Sequence, residues 1–133
     1  MKKIYNKAEN RSFESAYIKM SIIDGILHFT YKQIENMDLD LAKTCVADRL
    51  RFTGDASYPC LVDVIMLKSS SKEARDYFAT AGNQGIIANA ILVNSSAFKM
   101  MANFYIMVNK PVNTTRMFTD KQSALEWLQQ FKD

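Results

Sequence analysis

The stretch from Pro59 to Asn109 constrains the fold more than any other. Pro59-Cys60-Leu61-Val62-Asp63-Val64-Ile65 is a short apolar run entered through a proline, and Ile86 to Val93 is a second. Runs this short, rich in apolar and β-branched residues, suit strands covered on both faces. Between them Ser69-Ser70-Ser71 opens a helix, with Ser70-x-x-Glu73 spaced as a capping box. Ala74, Tyr77, Phe78 and Ala81 then fall at i, i+3, i+4 and i+7, one apolar stripe. Gly82 to Gly85 ends that helix. Two buried strands joined by one helix predict a right-handed parallel crossover, and so an α/β domain.

The N-terminal half supplies a different element. Residues 1–15 show no sustained period and read as a flexible segment, with 16–133 as the single domain. Ile18, Met20 and Ile22 alternate with Tyr17, Lys19 and Ser21, and Leu27, Phe29 and Tyr31 alternate with His28 and Thr30. Asp24-Gly25 lies between these runs. A type I′ turn needs positive φ at both central residues, so the pair predicts an antiparallel hairpin. Asp38 then reads as a helix N-cap, followed at helical spacing by Leu39, Ala42, Val46 and Leu50, with Gly54 closing the helix.

After the second apolar run, residues 96–109 read as a helix carrying Phe98, Met100, Met101, Phe104, Tyr105, Ile106, Met107 and Val108. Only Lys99 and Asn103 interrupt it, and Lys110-Pro111 stops it. A surface helix needs an apolar stripe only about 100° wide, and this one is wider. Thr114 to Phe118 is a short strand. Thr119-x-x-Gln122 has capping-box spacing, and Ala124, Trp127, Leu128 and Phe131 form the stripe of a terminal helix. The expected fold is a mixed sheet of about five strands, a hairpin first and then largely parallel, with four helices.

Several function classes are disfavoured. A net charge of +3 is too small to argue for nucleic acid, and no apolar segment is long enough to span a membrane. Cys45 and Cys60 lack metal-ligand spacing, and the single histidine, His28, has no nucleophile or orienting acid spaced for it. No cofactor motif stands in the chain. Free thiols with no export signal point to the cytoplasm. The expectation is a protein that is not an enzyme, with no catalytic, cofactor or metal residues.

Six short segments resemble a family. Leu61-Val62-Asp63-Val64, Glu73-Ala74-Arg75-Asp76-Tyr77 and Ala90-Ile91-Leu92-Val93-Asn94-Ser95 look like small bacterial proteins of the STAS-like, SpoIIAA-like group. Lys110-Pro111, Arg116-Met117-Phe118-Thr119 and Ala124-Leu125-Glu126-Trp127-Leu128 fit the same group. The resemblance implies a STAS-like fold over residues 16–131 and a role in protein–protein contact. In anti-sigma-factor antagonists of that wider group, an Asp-Ser-Ser/Thr-Gly motif starts the helix after a central strand, and phosphorylation of its second hydroxyl residue breaks partner binding. The matching segment is Lys68-Ser69-Ser70-Ser71, which puts Ser70 at the phosphorylated position, Lys68 at the acidic one and Ser71 at the glycine.

Two functional expectations follow. The first is a regulatory or protein-interaction module whose partner or switch residues are Lys68, Ser69, Ser70, Ser71, Asp63 and Arg75. On structure alone Ser70 is a helix cap and Asp63 a carboxylate accepting loop N–H bonds. The second is a carrier or sensor of a small apolar, lipid-like ligand held beside Phe98, Met100, Met101, Phe104, Tyr105 and Met107, or a homodimer through the same helix.

Overall fold

The computed structural model describes residues 11–95, 106 and 109–132. One sheet runs in chain order: β1 (Ser12–Glu14), β2 (Ile18–Ile23), β3 (Ile26–Tyr31), β4 (Tyr58–Asp63), β5 (Ile86–Leu92) and β6 (Thr114–Phe118). The first two pairings are antiparallel and the last three parallel. Among the described residues three α-helices accompany it: α1 (Leu39–Thr53), α2 (Lys72–Ala79) and α3 (Lys121–Gln129). The sheet thus has six strands rather than about five, and the described helices number three rather than four. The expected helix over 96–109 lies outside the described residues except at Ile106 and Asn109, both helical.

The hairpin turn forms as its dipeptide requires, with Asp24 at φ 51° and Gly25 at φ 77°. Asp38 caps α1, its carboxylate accepting from Leu41 N–H at 2.8 Å, and Gly54 ends the helix at φ 62°. The extra strand is β1. It is three residues long and mostly exposed, so it carries no period; only Phe13 turns inward, 6.3 Å from the Phe52 ring. Two polar ties reinforce it. Arg11 donates to the Phe52 carbonyl at 3.0 Å, and Lys32 reaches Glu14 at 2.6 Å.

Alternation along the strands divides the interior in two. Ile18, Met20, Leu27, Phe29 and Cys60 face α1 and α2, meeting Ala42, Cys45 and Ala74. Leu61, Ala88, Ala90, Leu92 and Phe118 face α3, meeting Ala124 and Leu128. Adjacent residues Cys60 and Leu61 thus serve opposite cores, which is why β4 reads as a continuous apolar run.

Both cysteines are free and buried. Burial pushes each thiol up to about 12, with the Asp48 carboxylate adding to the effect at Cys45 and Arg49 opposing it at Cys60. These folded values lie above the ordinary 9.0, so the stability they carry is whole below pH 9 and is lost as pH rises toward 12. Each thiol is expected to cost up to ~1.4 kcal/mol per pH unit in that window. Urea unfolding at pH 8 and pH 10 measures it, and Cys60→Ala should flatten the slope by one thiol's share.

Candidate functional site

Beyond the end of β4 the chain does not leave the sheet region freely. Residues 64–71 run beside 33–37, the connection from β3 to α1, in short parallel pairing: Ile34 opposite Leu67 and Met37 opposite Ser70. Lys68 N–H donates to the Ile34 carbonyl at 2.9 Å, Met37 N–H to Ser69 at 2.8 Å, and Ser71 N–H to Met37 at 2.9 Å. Ile34 and Met37 are buried, anchoring the ribbon, while Met66, Lys68, Ser69, Glu35 and Asn36 are exposed. The result is a fixed rim at the carboxyl end of β4, the end at which sites gather in α/β sheets.

The rim collects four of the six partner or switch residues singled out from sequence: Lys68, Ser69, Ser70 and Ser71. Ser69 Oγ donates to the Glu35 carbonyl at 2.8 Å and lies 3.0 Å from Asn36 Oδ1. Ser71, not Ser70, caps α2: its Oγ accepts from Ala74 N–H at 3.1 Å. The capping reading of Ser70 is therefore corrected by one residue. Ser70 stands opposite Met37 in a bridge whose bonds are made by Ser69 and Ser71, and Arg75 donates to the Ser70 carbonyl, with Ser70 Oγ 3.4 Å from the same nitrogen. The second expected box shifts likewise, since Asp120 rather than Thr119 caps α3, accepting from Gln122 and Ser123 N–H at 3.1 Å each.

Asp63 uses its carboxylate locally, accepting from Ile65 N–H at 2.9 Å, as the plain structural reading expects. His28 lies opposite Leu61 on the face that α3 covers in part; burial, then the Lys121 cation, lowers its pKa and keeps it neutral at pH 7. Phe98, Met100, Met101, Phe104, Tyr105 and Met107 lie outside the described residues. Among the described residues no group of His, Cys, Asp and Glu could hold a metal ion, and no helix is long and apolar enough to cross a membrane.

A second polar cluster went unread in the sequence. Arg49 is 3% exposed, on the buried stripe Ala42, Cys45, Val46, Arg49, Thr53. Its Nη1 donates to the Gln84 carbonyl and its Nη2 to the Gly82 carbonyl, each at 2.7 Å. Burial lowers its pKa, and no carboxylate pairs with it among the described residues. Between those two carbonyls stands Asn83, which accepts from Asn89 Nδ2 at 3.1 Å. The available signal was a cation at i+3 and i+7 from Val46 and Ala42, a core position.

One solved structure shares this architecture. The chain is similar over 89% of its length, and over 90% of the other chain, to an uncharacterized protein of the DUF3478 family with a SpoIIAA-like fold from Shewanella loihica PV-4, with 15% identity and a TM-score of 0.56. That likeness shows the fold: SpoIIAA-like, as the sequence resemblance implies. A protein of unknown function from Arthrobacter sp. FB24 shares 28% identity over 83% of this chain and 97% of its own, at a TM-score of 0.33, too low to speak to the fold. No curated protein matches. A family model described as a domain of unknown function, DUF7793, matches residues 20–132, and the chain belongs to that family.

Proposed function

We propose that this chain is a non-enzymatic SpoIIAA-like module that acts by protein–protein contact, with the rim of residues 33–37 and 66–71 as its contact surface. The carrying observation is the ladder between the two segments. It fixes the backbone under exposed Met66, Lys68 and Ser69, so a partner meets a surface whose ordering entropy is already spent. An exposed methionine suits an adaptable contact. Arg75 stands beside Ser70 Oγ, so a phosphate there would gain a charge-assisted partner as well as the α2 N-terminus.

Met66→Asp tests the reading. Met66 is 46% exposed, so the change should leave stability within about 0.5 kcal/mol. Tagged wild type from its native host should run on size exclusion in a defined complex, and Met66→Asp and Ser70→Glu as the free chain. Both variants co-eluting with the wild-type complex would remove the rim from the interaction.

A further inference from the structure

Asn89 is the one polar side chain in β5, between Ala88 and Ala90, and it is 8% exposed. Its amide donates to Asn83, which is 7% exposed, and that one bond leaves Asn83 Nδ2 and Asn89 Oδ1 without partners. Rotating both amides only exchanges the roles, so one donor and one acceptor stay open in either assignment. Two such groups cost stability in any folded chain and call for an occupant.

The surroundings narrow what that occupant is. Asn89 is the ladder partner of Cys60, on the face that α1 covers. Arg49 reaches from α1 to the turn that carries Asn83 and donates to the carbonyls on either side of it. Its charge has no carboxylate partner among the described residues. A buried cation and an open amide donor both ask for an anionic oxygen, while the open amide acceptor beside them asks for a hydroxyl or N–H. A valine at position 89 would suit the strand better than an asparagine if packing alone were served.

We propose that Arg49, Asn83 and Asn89 form a binding site for a small organic acid, whose carboxylate faces Arg49 and the open N–H of the amide pair and whose hydroxyl or amide N–H donates to the pair's open oxygen. The site is separate from the rim, so ligand binding and partner contact fail independently. Lactate serves as the probe, with acetate as the carboxylate lacking a donor and chloride as the ionic-strength control. The side-chain NH2 signals of Asn83 and Asn89 and the Nε–H of Arg49 are followed by NMR on the full chain. Lactate should shift all three saturably, and acetate should bind about tenfold more weakly for want of one hydrogen bond. Asn89→Val, which keeps the strand, should weaken lactate by a similar factor. Shifts that follow ionic strength alone would overturn the proposal, as would a long-lived water at the amide pair that lactate does not displace.

Discussion

Arg49→Met is expected to lower the unfolding free energy by about 3 kcal/mol, because two carbonyls lose charge-assisted donors and at least one stays buried without a replacement. The Gly82 bond is fully buried and the Gln84 bond partly so. Methionine refills the apolar volume of the arginine stem, which isolates the loss of the fork. The turn Arg49 holds is also crowded. A Cβ at Gly82 would stand 2.9 Å from the Tyr77 carbonyl oxygen, so the 81–85 connection has little freedom to find other partners. Arg49→Lys should fall between wild type and methionine, since one ammonium cannot span two carbonyls in the same geometry. Urea denaturation in ligand-free buffer measures both. A methionine variant within 0.5 kcal/mol of wild type, a margin typical of neutral surface changes, would show that the fork contributes little.

Leu128→Ala should cost about 3–4 kcal/mol, in the middle of the range for buried leucines. Leu128 is 0% exposed and packs in the core with Ala88, Ala90 and Ala124. Those alanines allow close approach of α3 to the sheet, but they also offer nothing that can swing into the space a missing isobutyl group leaves. The cavity term therefore remains nearly whole. Ile26, Leu61 and Phe118 border the same core and are held by their own strands. Thermal unfolding should show a drop on the order of 10 °C for a chain of this size. A change below 1 kcal/mol would mean that α3 relaxes onto the sheet. That outcome would contradict the tight packing described for this face.

Local signals made most of the fold legible. The Asp24-Gly25 turn, the Asp38 cap, the Thr114–Phe118 strand and the alternation from Ile18 to Tyr31 each state their structure within a few residues. Failures came where a neighbour across the chain decides. Ser69-Ser70-Ser71 offers three equivalent caps, and only the pairing of Ser70 with Met37 selects Ser71. Thr119-Asp120 offers two, and the carboxylate, with two oxygens, satisfies two N–H groups at once. β1 exists because β2 has an open edge for Ser12–Glu14 to join; three residues are too short a run to announce a strand. The rim itself is a contact between residues more than thirty positions apart, so nothing in the 33–37 segment announces it. Arg49 was readable in principle as a cation on a buried stripe, but its acceptors belong to the distant 82–84 turn.

The most direct test of rim-mediated contact is a photo-crosslinking scan in the native host. A photoreactive residue is placed singly at Met66, Lys68, Ile23 and Glu126, all exposed, the first two on the rim and the others on the hairpin and α3. Discrete adducts of one common mass from positions 66 and 68, with none from 23 and 126, are the predicted result. Adducts from 23 or 126 alone, or an equal pattern from all four positions, would contradict it.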